Sequence, residues 1–129
     1  MSQQHPIISV TGSSGAGTTS VQRTFDQIFR REGIKAAFIE GDAFHRFDRA
    51  EMKQAMADTD NPHFSHFGPE ANLFEKLEAT FAAYGKTGGG ETRHYIHDSA
   101  EAEKYGCSPG TFTDWRPLED DTDLLFYEG

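Results

Sequence analysis

The chain of 129 residues is poor in cysteine, in positive charge and in long apolar runs, and each shortage excludes something. A single cysteine, Cys107, leaves no partner for an intrachain disulfide and rules out a multi-cysteine zinc site. Twelve Lys and Arg side chains stand against 21 Asp and Glu, a net charge of −9. Such a surface repels polyphosphate backbones and anionic membranes, so neither nucleic acid nor membrane is an expected partner, although a local cationic patch still suits one phosphate. No apolar stretch approaches the roughly 18 residues of a membrane span, and no signal-peptide core follows the N-terminus. The expectation is a cytoplasmic protein about the size of one small domain.

The most telling absence lies inside a motif. The apolar run Ile7–Val10 and Thr11 lead into GSSGAGTTS, Gly12 to Ser20. Gly12, Gly17 and Thr19 fit the phosphate-loop pattern G-x-x-x-x-G-K-[ST], but Thr18 occupies the lysine position. Glycines 12, 15 and 17 let the backbone wrap phosphate oxygens, and a following helix aims its N-terminal N–H groups at the same place. The candidate ATP-binding residues are therefore Gly12, Ser13, Ser14, Gly15, Ala16, Gly17, Thr18, Thr19 and Ser20, with the Thr19 hydroxyl on Mg²⁺. An ordinary Gly/Ser turn has the same composition; a strand before it and an amphipathic helix after it favour the phosphate reading. Without the lysine another cation must face the β- and γ-phosphates, and Arg49, Lys53 or a residue beyond Gly129 are the candidates.

Pro6–Val10 reads as a strand buried on both faces. Val21, Phe25, Ile28 and Phe29 line one face of a helix over Thr19–Arg31, which Gly33 ends in a left-handed cap. Ala36–Ile39 forms the next strand, completing a βαβ unit with parallel strands. A helix follows over Arg49–Ala57, then a loop over Thr59–Pro69. A second helix runs from Pro69, at its first position, to Tyr84, with Leu73, Leu77, Phe81 and Tyr84 on one side. Glu91–His97 reads as a strand, the stretch to Asp121 as irregular, and Asp123–Glu128 as another buried strand. Two or three parallel strands make a thin core, so the expected fold is a mostly parallel α/β sheet that continues past the strand ending at Glu128. In domain terms, residues 1–129 read as the N-terminal part of a larger unit.

Asp42 lies just past the second strand's carboxyl end, where open α/β sheets bind ligands. It has two readings of equal standing: a base toward a substrate hydroxyl, or a helix or turn cap. His45, Arg49 and Lys53 are spaced i, i+4, i+8 and with Arg46 form the densest cationic group of the chain. A solvated helix face is the ordinary explanation; directly after Asp42, a phosphate-bearing substrate is the better one. Glu128 ends an apolar strand, where a Mg²⁺-associated acid belongs, or else is a terminal surface glutamate. The histidines argue against a metal site. His94 and His97 are an odd number apart and on one strand would face opposite sides, while His63 and His66 lie in a loop without a cysteine pair.

Taken together, GSSGAGTTS, EGDAFHRF-x-R-x-x-M-K (Glu40 to Lys53), FSHFGPEAN (Phe64 to Asn72), PGTFTDW (Pro109 to Trp115) and LLFYEG resemble the bacterial phosphoribulokinases in order and over essentially the whole chain. That family's bacterial branch carries threonine in place of the loop lysine, and its plant-type members keep the lysine and a redox cysteine, neither of which is present here. The resemblance implies a P-loop kinase with a nucleoside-monophosphate-kinase-like α/β sheet. It implies ATP on Gly12–Ser20, Asp42 as base toward the 1-hydroxyl of D-ribulose 5-phosphate, and His45, Arg49 and Lys53 on that substrate's phosphate. It further implies Glu128 and Thr19 at Mg²⁺, ribulose 1,5-bisphosphate as product for Calvin-cycle carbon fixation, a homo-oligomeric full-length protein, and NADH as allosteric activator. The family's second half, with a further acid and several Arg and Lys residues, is not in this sequence. Two other readings stay open. One is a uridine- or pantothenate-kinase-like enzyme, which the cationic trio after Asp42 disfavours; the other is a non-catalytic nucleotide-binding fragment.

Overall fold

The computed structural model describes residues 4–12 and 17–129. A central parallel sheet carries the architecture. Its strands are β1 (Ile7–Val10), β2 (Ala36–Glu40) and β5 (Leu124–Glu128), in the order β1-β5-β2. The last strand thus enters between the first two, and the βαβ expectation holds with β5 as the shared neighbour. Helix α1 (Thr18–Glu32) connects β1 to β2 and ends at Gly33, left-handed at φ 70° as expected.

Alternation along the strands divides the core in two. Leu124 and Phe126 of β5 meet Ile8, Val10, Ala36 and Phe38 on the face covered by α1, where Phe25 and Phe29 complete the packing. The rings of Phe25, Phe29, Phe38 and Phe126 lie with centroids between 5.1 and 6.2 Å apart, within the range of tilted and edge-on aromatic contact. On the opposite face Leu125, Ala37 and Ile39 pack with Phe44 and Tyr84 under helix α3 (Phe74–Thr87). Tyr84 is fully buried, and its hydroxyl is satisfied by Thr122 Oγ1 at 2.8 Å.

Three boundaries differ from expectation. Helix α3 starts at Phe74, not Pro69, because Asn72 turns its side chain onto the carbonyls of His66 and Gly68 and so competes with helical pairing. The strand expected over Glu91–His97 shrinks to β3 (Glu91–Thr92), paired with β4 (Arg116–Pro117). Beyond it, residues 94–96 trade backbone bonds with residues 110–113 instead, through Ile96 N–H to Thr111 O and Thr113 N–H to His94 O. The stretch read as irregular contains α4 (Ser99–Tyr105), capped by Asp98, whose carboxylate accepts from Glu101 N–H at 2.9 Å.

Candidate active site

Because the strands are parallel, their carboxyl ends share one edge. Val10, Glu128 and Glu40 sit side by side in register there. The ladder extends one step past the strands, with Gly129 N–H to Val10 O at 3.0 Å and Gly12 N–H to Gly129 O at 3.3 Å. The start of the glycine-rich loop is thus tied to the end of β5. Gly17 is left-handed at φ 85° and leads into α1, so the backbone of Thr18, Thr19 and Ser20 forms that helix's first turn. Ser13, Ser14, Gly15 and Ala16 lie outside the described residues.

After β2 the chain makes a single 3₁₀ turn, Gly41–Phe44. A side chain at Gly41 would meet the Tyr127 hydroxyl, whose oxygen lies 2.7 Å from where a Cβ would stand, so this position needs glycine for close approach. The turn buries Ala43 and Phe44 and leaves Asp42 at the rim. Of the two readings of Asp42, capping does not fit: its carboxylate takes Nε2 of His45 on Oδ1 at 3.1 Å and Nε2 of His97 on Oδ2 at 2.8 Å. The hydrogen bond from His45 and the further one from His97 outweigh burial and hold the Asp42 carboxyl down to about 2.

His45 is not on a helix. Asp48 caps α2 (Arg49–Asp58) through a reciprocal pair with Glu51, so of the cationic trio only Arg49 and Lys53 share a helical face. The fold nevertheless brings the set together. Asp42, His45, Arg49 and Lys53 line one cavity of about 520 Å³, with Phe47, Met52 and Tyr95 as apolar wall. Arg49 is seated by Gly110, at φ +80°, where a Cβ would stand 2.8 Å from that of Arg49; its guanidinium donates to His97 O at 3.1 Å. Lys53 is exposed and forms no ion pair with any described residue. Glu128, half-buried, stands on the central strand between Val10 and Glu40, away from this cavity's lining. A carboxylate oxygen is the hard donor that Mg²⁺ takes, and that placement between the loop and Asp42 suits it.

Four residues of the site had no assigned role in the sequence. Arg93 grips the Asp42 turn from behind, donating from Nε to Ala43 O at 2.8 Å and from Nη2 to His45 O at 2.6 Å. Its guanidinium is stacked 3.5 Å from the Phe112 ring centroid and 4.5 Å from that of Trp115. His97, Glu101 and Glu40 complete the surroundings. The expectation that His94 and His97 face opposite ways is overturned: the chain leaves strand geometry and turns into α4, so both rings reach Glu101 Oε2, at 3.0 and 3.1 Å. Burial opposes charging of His97, but its bonds to Asp42 and Glu101 prevail and raise its pKa. Burial likewise raises Glu40, and it would raise Glu101 were that effect not outweighed by hydrogen bonds from His97 and His94, which lower it.

A parallel sheet with a glycine-rich loop after its first strand and an acid after its second defines a P-loop kinase fold. The chain belongs to the Phosphoribulokinase / Uridine kinase family, whose model matches residues 7–129. It is 66% identical to the phosphoribulokinase of Nitrobacter vulgaris, over all of this chain and 46% of that protein. It is 63% identical to the chromosomal phosphoribulokinase of Cupriavidus necator, over all of this chain and 45% of that one. The solved phosphoribulokinase of Rhodobacter spheroides superposes with a TM-score of 0.85 at 54% identity, covering 99% of this chain and 44% of that one. A Bacillus stearothermophilus structure described as a "Possible Uridine Kinase" covers 100% of this chain and 62% of that one with a TM-score of 0.70; at 18% identity it shows the fold alone. The chain spans a little under half the length of the curated relatives it matches. Among the described residues no helix is long and apolar enough to cross a membrane.

Proposed function

We propose that the full-length protein is a phosphoribulokinase, transferring the γ-phosphoryl group of ATP to the 1-hydroxyl of D-ribulose 5-phosphate to give ribulose 1,5-bisphosphate for the Calvin cycle. Residues 1–129 would be the N-terminal part of its single kinase domain. The observation that carries the reading is the shared cavity: the Asp42 carboxylate at its rim, and His45, Arg49 and Lys53 along its wall, the other lining carboxylate, Asp48, being engaged as the cap of α2. A phosphorylated acceptor matches that charge pattern, whereas a neutral one such as uridine leaves the cations without a counter-charge. The names of the relatives support the same substrate.

In this reading His45, Arg49 and Lys53 hold the sugar phosphate and so fix the attacking hydroxyl beside Asp42. Each Asp42 oxygen already accepts one histidine bond, and each retains a lone pair for the substrate hydroxyl. A carboxylate held at about 2 takes a proton poorly from a resting alcohol. Its work is therefore orientation first, with proton acceptance late, once bonding to phosphorus has made the attacking oxygen acidic; this suits a loose phosphoryl-transfer transition state. The glycine-rich loop would carry ATP. Mg²⁺, held by Glu128 and Thr19, would supply charge neutralisation on the phosphates. A cytoplasmic, homo-oligomeric full-length protein activated by NADH completes the reading.

Coupled ADP release from the full-length protein, with ribulose 5-phosphate, uridine and pantothenate in parallel, tests it. Turnover with ribulose 5-phosphate alone is expected. A preference for either neutral acceptor overturns the substrate, and ATP binding without turnover on any of the three overturns the enzyme.

A further inference from the structure

Behind Asp42, on the side away from the cationic cavity, a second group of side chains converges. Glu40, His94 and His97 each offer one ligand atom, all lying within 4.8 Å of one another. Three features make this more than a chance meeting. Glu40 Oε2 is buried without a hydrogen-bond partner among the described residues, its nearest ionic neighbour being His94 Nδ1 at 3.6 Å. A buried carboxylate oxygen in that state is costly unless something binds it. Both imidazoles are held for ligation: His94 Nε2 lies 3.0 Å from Glu101 Oε2, and its ring packs on Tyr105 with centroids 4.6 Å apart. For His97, a carboxylate already sits on either nitrogen, Glu101 at Nδ1 and Asp42 at Nε2. Whichever nitrogen takes a metal, the other keeps a carboxylate partner, the arrangement by which proteins orient metal-bound histidines. A cavity of about 400 Å³, lined by Glu40, His94 and Tyr105 among others, gives access from solvent.

We propose that Glu40, His94 and His97 form a site for a transition-metal dication of the zinc type, separate from the Mg²⁺ that accompanies ATP. Two imidazoles and one carboxylate suit Zn²⁺ or Co²⁺ and do not suit Mg²⁺, which prefers oxygen. Small rotations of the three side chains bring their donors to about 2.0–2.2 Å from a common centre. Glu101 and Asp42 then act as the outer carboxylates. If the kinase reading holds, a dication here places positive charge one imidazole away from Asp42 and lowers turnover; binding itself does not depend on that reading.

The test is a titration of the full-length protein, nucleotide-free, with Co²⁺ followed by absorption and with Zn²⁺ followed by calorimetry. Saturable binding with the absorption of a nitrogen- and oxygen-ligated Co²⁺ is expected. Glu40→Gln and His94→Ala should each weaken it at least about 10-fold, the scale on which even an outer-sphere change acts, while His63→Ala, in the exposed loop, should not. Imidazole nitrogen resonances of the wild-type protein give a readout independent of mutant folding: those of His94 and His97 should shift on adding Zn²⁺, and those of His63 should not. Absence of binding, a thiolate-to-cobalt band reporting Cys107, or unchanged affinity in folded Glu40→Gln and His94→Ala overturns the proposal.

Discussion

Asp42 separates two neighbourhoods built on opposite principles. On one side His45, Arg49 and Lys53 face a cavity of about 520 Å³, and neither Arg49 nor Lys53 forms an ion pair with a described residue. On the other, Glu40, Glu101, His94 and His97 are engaged with one another at 3.0 to 3.6 Å. Both carry many charges in a chain of net −9, yet one leaves its cations for an anion, while in the other the charges pair with one another and, among the described residues, only Glu40 Oε2 is left over for a cation. Charge density alone therefore does not mark a binding site; charge without an internal partner does. Asp42 draws on both, taking His45 from the open side and His97 from the closed one.

The largest effect should come from removing the shared acid. Asp42→Asn in the full-length protein keeps the shape but not the charge, and steady-state assays should show kcat down by about 10²–10⁴-fold with little change in KM. Next comes the open side alone: Arg49→Ala should raise KM for ribulose 5-phosphate by about 10–100-fold, the worth of one charge-assisted contact. Arg93→Lys keeps a positive charge but loses the fork that holds Ala43 O and His45 O. Urea denaturation should show it less stable by about 1–3 kcal/mol.

The closed side should show itself in pH. Asp42, held at about 2 against an ordinary value of about 3.9, contributes stability that is present above the ordinary value and lost as pH falls through the lower one. His97 is raised, so its contribution is present below about 6.5 and lost as pH rises through its higher folded value. His97→Gln should therefore flatten the decline of stability above about pH 6.5 and move the acid limb upward, as urea midpoints across pH would show. An unaltered profile would remove His97 from the pair.

How much of this was legible follows from where each partner lies in the chain. The strands β1, β2 and β5, helix α1 and the placement of Asp42 could be read because apolar period and turn residues are local signals. Asp42, His45, Arg49 and Lys53 fall within one short segment, so their meeting was legible too, even though His45 proved to precede α2. Arg93 and His97 were not, because their contacts reach back to Ala43, His45 and Asp42 across sequence separations of 48 to 55. One local cue was available: Asp98 and Glu101 carry a cap spacing that starts α4, and a helix there swings Glu101 onto His97 four residues before it. The start of α3 was misread for the converse reason, since Pro69 suits a first turn but Asn72 spends its side chain on the preceding loop.

The contrast between the two sides reduces to one binding measurement. Calorimetric titration of ribulose 5-phosphate into nucleotide-free, full-length protein should give clear affinity in the wild type and in Glu101→Gln, and about 10–100-fold weaker affinity in Arg49→Ala. Equal affinity in wild type and Arg49→Ala, or loss confined to Glu101→Gln, would contradict the assignment of the open cationic side to the sugar phosphate.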